Sequence, residues 1–159
     1  FNKVLRRYKN VRLLVIARYA KALNSYLKGL RKEVLKRLII LDSIPFDKIH
    51  MMYNLIDVFV NPSLLDSLEY NTLEALSSGN IVLASNKGCI KDLKHLFGID
   101  VSTFKPTTAT LTVLLENVLK NIDLYKHSVL ERLQYVKNVL GLESFGKRIE
   151  IALNKLMHG

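Results

Sequence analysis

Residues 57–85 read DVFVNPSLLDSLEYNTLEALSSGNIVLAS, and this stretch decides the fold. It begins with a predicted strand at 57–61, whose centre is the apolar run Val58-Phe59-Val60 and which a proline stops. A helical pattern follows at about 70–78, and Gly79 ends it as a left-handed stop. The apolar run at 81–85 is again of strand length. The order of strand, loop, helix and strand predicts two parallel strands joined by a crossover helix.

The same alternation extends in both directions along the chain. Further short strands are predicted at 11–17, 38–42 and 99–101. Helical spacing of apolar residues predicts helices at the start of the chain, at 23–37, 46–56 and 90–97, and from 107 to 158 with breaks near 121–123 and 141. Apolar strands that alternate with amphipathic helices are typical of a parallel sheet covered on both faces.

We therefore predict a Rossmann-like α/β fold with a doubly wound parallel sheet flanked by helices. Residues 1–159 are expected to form one domain, since a length of about 100–200 residues is usual for a single domain. The segment 142–157 is its closing helix. The chain begins without Met inside a helical pattern, so we expect it to be a fragment of a longer two-domain enzyme.

Composition narrows the function classes. Hydrophobic residues make up 49% of the chain, which excludes intrinsic disorder. The net charge is +10, and this excess favours an anionic partner, such as a phosphate-bearing ligand, an acidic membrane surface or nucleic acid. Neither a G-x-G-x-x-G nor a G-x-x-x-x-G-K-[ST] fingerprint occurs.

The cysteines, the histidines and the lengths of the apolar runs limit the expected location and the expected metal binding. Cys89 is the only cysteine, so no intramolecular disulfide can form and a cytoplasmic location is expected. The four histidines lie far apart in the sequence, and no zinc site is expected. No apolar run approaches the ~18 residues of a membrane helix.

Ligands of doubly wound sheets bind beyond the carboxyl ends of the strands, which here are the loops 61–69 and 85–89. Asp66 lies in the first of these loops, and Glu74 lies eight residues later in the helix that follows it. A mostly helical chain would separate them by about 12 Å. The N–H groups of a helix N-terminus lie between them and suit phosphate. One acid suits a sugar, the amides suit a diphosphate, and the other acid suits a ribose. Together they would form a donor site for a sugar that is joined through a diphosphate to a ribose.

The stretch resembles the carboxyl-terminal domain of retaining GT-B glycosyltransferases of family 4, which carries an E-x7-E signature. The residues in register with the family pattern are Val60, Pro62, Ser63, Asp66, Leu73, Glu74, Ala75, Gly79 and Val82, followed by Gly88 and Asp92. Residues 53–60 also match the l-y-x-x-a-D-v-f-v segment that precedes the signature. The resemblance covers most of residues 11–105 and extends to the closing helix.

The resemblance implies a role for each matched position of the loop and helix. Asp66 would bind hydroxyl groups of the donor sugar, and the backbone N–H groups of Ser67 and Leu68 would face that sugar. The backbone N–H groups of Tyr70 and Asn71 would face the diphosphate. The function implied is transfer of a sugar from a nucleotide-diphosphate sugar to an acceptor.

Glu74 would hold the ribose diol of the nucleotide, and the loop at 43–45 lies where such proteins place the base. The family implies no cofactor and no metal, because amides and basic residues neutralise the leaving diphosphate. Many of its members work at membranes, so the peripheral cytoplasmic face of a membrane is an expected location.

Several positions depart from the family pattern. The first acid is Asp66 rather than Glu, the family's aromatic is Leu68, and its following glycine is Glu69. The Arg and Lys that clamp the diphosphate, and the amino-terminal acceptor domain, would lie before this chain. We therefore expect the chain to bind a donor but not to catalyse transfer alone.

Each feature also has a structural interpretation. Residues 66–69 read as a helix N-cap with a capping-box glutamate, and Glu74 as a solvated helix residue. Cys89 is interpreted as an inert thiol. The basic residues of 3–12 and 28–37 are either solvated helix faces or a docking surface for anionic lipid.

Two other functions compete with donor binding. The first is a non-catalytic basic α/β module that binds nucleic acid or a partner protein, which only the charge and Glu69 favour. The chain lacks a platform of aromatic and basic residues for stacking bases, so nucleic acid is not an expected partner. The second is a degenerate transferase kept as a scaffold.

Overall fold

In the computed structural model of the protein, residues 1–17, 24–64, 70–87 and 90–158 are described. The strands are β1 (Leu13–Ile16), β2 (Leu38–Leu41), β3 (Val58–Asn61), β4 (Ile81–Ser85) and β5 (Ser102–Phe104). The helices are α1 (Asn2–Arg7), α2 (Asn24–Lys28), α3 (Lys32–Leu35), α4 (Ile49–Leu55), α5 (Tyr70–Ser77), α6 (Ile90–Phe97), α7 (Thr108–Lys120), α8 (Ile122–Leu140) and α9 (Leu142–His158). A 3-10 turn at Phe46–Lys48 precedes α4.

Every strand pairing in the described residues is parallel, which confirms the predicted α/β class. These strands form two sheets, β1–β2 and β3–β4–β5, where the sequence predicted one. The smaller sheet is also the less enclosed, because Ile16 and Ile39 on its strands are each more than two fifths exposed.

β4 is the central strand of the larger sheet, and all five of its residues are buried. Ile81 and Leu83 pack with Val118 of α7 on one face. The alternate residues Val82 and Ala84 belong to clusters on the other face, where α4, α5 and α6 contribute side chains. Both faces of this sheet are therefore covered, as its continuous apolar sequence predicted.

The predicted left-handed stop after α5 is confirmed. Gly79 has φ of +81°, a conformation that glycine adopts without steric cost. Its N–H donates to the Leu76 carbonyl (3.1 Å), and the Asn80 N–H donates to the Ala75 carbonyl (3.0 Å). This is a Schellman motif, and it delivers the chain into β4.

The helix predicted over 23–37 is wrong, because the structure has two short helices there, α2 and α3. Gly29 lies between them, and glycine costs about 1 kcal/mol relative to alanine inside a helix. Arg31 has extended backbone (φ −68°, ψ 150°), which starts α3 in a new direction. The apolar residues at helical spacing in this segment therefore do not share one buried face: Val34 is buried, but Tyr26 is 76% exposed.

The strand predicted over 99–101 is displaced by three residues, since β5 occupies Ser102–Phe104. Gly98 ends α6 with φ of +65°. The Ile99 N–H then donates to the Leu93 carbonyl (3.1 Å), and the Ile99 side chain is buried beside Leu93. Ile99 thus completes the end of the helix and packs against it, which delays the start of the strand.

Candidate functional site

The carboxyl ends of β3 and β4 lie at the same edge of the larger sheet, because the strands are parallel and Asn61 is in register with Ala84. The loops that follow the two strands are tied together at this edge. The Ser85 hydroxyl donates to the Ser63 carbonyl (2.5 Å), and the Lys87 N–H donates to the Ser85 hydroxyl oxygen (3.2 Å). The described parts of the two loops predicted to surround a ligand, 61–64 and 85–87, are therefore neighbours.

Asn61 fixes the start of α5 relative to the end of β3. Its Oδ1 accepts a hydrogen bond from the Ser63 N–H (3.0 Å), an Asx-type turn that redirects the chain after Pro62. Its Nδ2 donates to the Thr72 hydroxyl oxygen (2.8 Å), which is buried in the first turn of α5. The first turn of the helix is thereby held at the carboxyl edge of the sheet.

Tyr70 and Asn71, predicted to offer amides to a diphosphate, are the first two residues of α5. Both side chains are exposed, Tyr70 to 81%. The side chains of both predicted diphosphate-binding residues therefore lie in solvent.

Glu74 lies one helical turn further along α5, about 6 Å from Tyr70 along the axis. Its side chain is half-buried rather than fully solvated. The hydroxyl of Tyr53 donates to Glu74 Oε2 (2.8 Å). This contact joins α4 to α5 and gives the carboxylate a defined orientation, which a solvated helix residue would not have.

Tyr53 is one of the best-fixed side chains near the site, with only 6% of its surface exposed. Its ring meets the Phe59 ring edge-on, with centroids 6.0 Å apart, and it packs with Ala75 and Val82. Burial raises the pKa of Tyr53 well above its usual value, and the hydrogen bond to Glu74 raises it further. The phenol therefore stays protonated and remains a donor to Glu74.

The Tyr53–Glu74 contact and the Asn61 anchor were not predicted from the sequence. The sequence indicates only that Tyr53 lies in the helix predicted at 46–56 and begins the segment that matches the family. Its role as a donor depends on how α4 crosses α5, which spacing does not reveal. For Asn61, the Asn-Pro-Ser sequence after a strand is a signal that could have indicated a side-chain-stabilised turn.

The donor-sugar half of the predicted site lies outside the described residues. This applies to Asp66, Ser67 and Leu68, and also to Glu69, Gly88 and Cys89. The predicted base loop at 43–45 is described and follows β2. It is largely exposed, and the Phe46 ring beside it is 87% exposed.

A cavity of about 130 Å³ lies at the opposite edge of the larger sheet. Ile81 and Ser102, the first residues of β4 and β5, line it together with Tyr125, Arg132 and Tyr135 of α8. It is separated from the end of α5 that carries Tyr70, so it does not belong to the predicted donor site.

Positive charge is concentrated in one part of the chain. Residues 1–48 contain 13 Lys and Arg but three Asp and Glu, whereas residues 49–159 contain 11 of each. The whole net charge of +10 therefore resides in the first 48 residues. Within them, α1 and α3 are linked by a hydrogen bond from Arg31 Nη2 to Asn2 Oδ1 (2.8 Å), and most of their Lys and Arg side chains are exposed.

Two features are absent from the part of the chain that the structure describes. No three His, Cys, Asp or Glu side chains there are grouped so that they could hold a metal ion. None of the helices described combines the length and the apolar character that crossing a membrane requires.

The family model described as Glycosyl transferases group 1 matches residues 1–121 of this chain. No curated protein matches the chain in sequence.

Several solved structures match the fold. Alr3699/HepE from Anabaena, solved in complex with UDP, is 14% identical with a TM-score of 0.76 over 97% of this chain and 43% of that one. The structure of the same protein with UDP and glucose is 13% identical to this chain with a TM-score of 0.73, over the same shares of the two chains. Sucrose-phosphate synthase from Thermosynechococcus elongatus is 17% identical with a TM-score of 0.74 over 98% of this chain and 41% of that one. The chain thus spans about two fifths of these relatives, and such identities establish the fold alone.

Proposed function

Because this chain belongs to the group 1 glycosyltransferases, we propose that it binds a nucleoside-diphosphate sugar as the donor domain of an enzyme that moves the sugar to an acceptor. The observation that carries this function is the carboxylate of Glu74, which Tyr53 holds one turn beyond the first residues of α5. A charged acceptor and a row of helix amides at the edge of a parallel sheet suit a ribose and a diphosphate.

Glu74 accepts hydrogen bonds from the ribose hydroxyl groups in this site. An ionised carboxylate has about four acceptor positions, so the bond from Tyr53 to Oε2 leaves Oε1 free for the diol. The backbone N–H groups of Tyr70 and Asn71 face the diphosphate. The order of these groups along α5 matches the order of diphosphate and ribose in a nucleotide.

Asp66 and the backbone N–H groups of Ser67 and Leu68 complete the site on the side of the donor sugar. Asp66 precedes Glu74 by eight residues, so the two acids can act at opposite ends of the donor. The UDP complexes of Alr3699/HepE support a nucleoside diphosphate as the ligand class.

The reaction proposed for the whole enzyme is sugar transfer with retention of configuration. The acceptor attacks and the diphosphate departs on the same face of the sugar. No metal is required in this scheme, because helix amides and basic side chains balance the charge of the leaving diphosphate. A preceding domain supplies the acceptor site and the Arg and Lys that clamp the diphosphate. The 159-residue chain by itself then binds the donor but does not transfer the sugar.

The concentration of positive charge in residues 1–48 supports a second property, docking of the domain on an anionic lipid surface at the cytoplasmic face of a membrane. Basic side chains close to such a surface contribute about 1 kcal/mol each. Docking of this kind requires no spanning helix.

The test of donor binding is a calorimetric titration of the chain with UDP, GDP and ADP and with their glucose and mannose conjugates. We expect saturable binding of one nucleotide, and Glu74→Ala lowers its affinity about tenfold or more, since a hydrogen bond to a charged group is lost. Glu131→Ala is the control, because Glu131 is an exposed glutamate of α8 that pairs with His127. Equal affinities for wild type and Glu74→Ala would contradict the assignment, as would a lack of binding to every nucleotide.

A further inference from the structure

The buried phenol of Tyr53 on α4 donates a hydrogen bond to the half-buried carboxylate of Glu74 on α5. We propose that Tyr53 is a positioning residue that orients Glu74 toward both ribose hydroxyl groups, and so determines how strongly the domain prefers ribonucleotides to 2′-deoxyribonucleotides. This role rests on the proposed function of Glu74 as the ribose acceptor. It concerns an amino acid that contacts no part of the nucleotide itself.

The first support is the geometry of the contact. The Tyr53 hydroxyl lies 2.8 Å from Glu74 Oε2, which is the distance of a strong hydrogen bond to a charged acceptor. Glu74 is only partly shielded from solvent, so without this donor its carboxylate could adopt several rotamers. With the donor in place, one carboxylate oxygen is fixed and the other has a defined direction.

The second support is that Tyr53 cannot follow the movements of Glu74. Its ring is packed in the core against Phe59, Ala75 and Val82. Its backbone carbonyl accepts a hydrogen bond from the buried Asn80 Nδ2 (2.8 Å). The hydroxyl is therefore a fixed point, and the carboxylate adjusts to it.

The third support is that Asn80, which holds the Tyr53 carbonyl, is placed by the end of α5 itself. The Asn80 N–H donates to the Ala75 carbonyl, and Ala75 directly follows Glu74 in the helix. Glu74, the turn after α5 and the end of α4 thus form one closed set of contacts. A preorganised acceptor of this kind loses less rotamer freedom when a ligand binds.

The chemical consequence is selectivity for a diol. A fixed carboxylate can accept from the 2′ and 3′ hydroxyl groups at once, while a mobile one gains little from the second hydroxyl. Removing the Tyr53 hydroxyl should therefore weaken ribonucleotide binding more than deoxyribonucleotide binding. A purely structural role for Tyr53 would weaken the two equally.

The experiment compares the preferred nucleoside diphosphate among UDP, GDP and ADP with its 2′-deoxy counterpart, by calorimetry. For Tyr53→Phe we expect a loss of about threefold to tenfold in ribonucleotide affinity and a clearly smaller loss for the deoxyribonucleotide. In a Glu74→Ala background, Tyr53→Phe should have no further effect on either affinity, because the group that it positions is absent.

The matched control is Tyr135→Phe, which deletes a hydroxyl that donates over the same distance, 2.8 Å, to the Phe97 carbonyl. It should leave both affinities unchanged. Glu74→Asp is a second variant, which keeps the charge but withdraws the carboxylate from Tyr53 while leaving the core intact. It should reduce the preference for ribose in the same way as Tyr53→Phe.

The possible outcomes separate the two assignments. If Glu74→Ala weakens binding but Tyr53→Phe changes neither affinity, or lowers both equally, the positioning role is overturned and donor binding stands. If Glu74→Ala has no effect, or if no nucleoside diphosphate binds, donor binding through Glu74 fails and the positioning role fails with it.

Discussion

Asn80 Nδ2 lies 2.8 Å from the carbonyl oxygen of Tyr53, and the same nitrogen lies 2.7 Å from the carbonyl oxygen of Ile56. The residue that follows the turn after α5 therefore caps the end of α4. This relationship connects the helix that carries Glu74 to the helix that carries its donor. The geometry of the candidate site therefore depends on Asn80, which lies beyond the end of α5.

We expect Asn80→Ala to lower the free energy of unfolding by about 2 kcal/mol. The substitution leaves two shielded carbonyl groups without their donor, and a buried unsatisfied group costs about 1–3 kcal/mol. Asn80 Oδ1 has no partner in the described structure, so part of the loss is offset by its removal. Urea denaturation measures the change, with the exposed Asn138→Ala as control, which should stay within about 0.5 kcal/mol of wild type.

Gly79→Ala should lower the free energy of unfolding, and Gly146→Ala should raise it. Gly79 adopts φ of +81°, and a left-handed residue with a Cβ costs about 1–2 kcal/mol. Gly146 lies inside α9, and nothing is within 4 Å of the position of an added Cβ. Alanine there should stabilise the protein by up to about 1 kcal/mol. Thermal unfolding of the two variants distinguishes them, and destabilisation by Gly146→Ala would contradict the helix assigned to that segment.

Much of the larger sheet is predictable from sequence because local signals agree there. The runs at 58–60 and 81–84 are apolar and contain β-branched residues, a proline follows the first strand, and Gly79 stops the helix between them. β5 is less predictable, since Ile99 suits a strand by its side chain but is used to complete the end of α6. The break at Gly29 is also difficult to predict, because the apolar residues keep helical spacing across it and a single glycine is the only local signal.

The candidate site is predictable only as far as it is local. The loop after β3 and the acid Glu74 follow from spacing along one segment. The donor to Glu74 is 21 residues away in the sequence, and its contact depends on the crossing of α4 and α5. A tyrosine on the apolar side of a helix carries no sign in the sequence of what its hydroxyl will meet.

Tyr53 should make stability depend on alkaline pH. Its folded-state pKa is raised above the unfolded value of 10.0, so the folded protein retains a proton that the unfolded chain releases. The resulting stabilisation is complete below pH 10 and decreases as the pH rises above that value. The difference in unfolding free energy between wild type and Tyr53→Phe should therefore be constant below about pH 10 and shrink above it. A difference that is constant through the alkaline range would contradict the environment described for this phenol.

Binding to anionic vesicles should depend on the basic residues of the first 48 positions rather than on net charge alone. Lys32→Glu combined with Lys36→Glu reverses two exposed charges on α3 and its C-cap. At about 1 kcal/mol per basic residue, the pair should weaken binding to phosphatidylglycerol-containing vesicles about tenfold or more. Lys105→Glu combined with Lys120→Glu changes the net charge equally on exposed sites elsewhere and should have a much smaller effect.

Co-sedimentation with phosphatidylcholine vesicles, with and without phosphatidylglycerol, measures both pairs. Equal losses for the two pairs would mean that the protein responds to the lipid only through its total charge, and docking through the first 48 residues would be wrong.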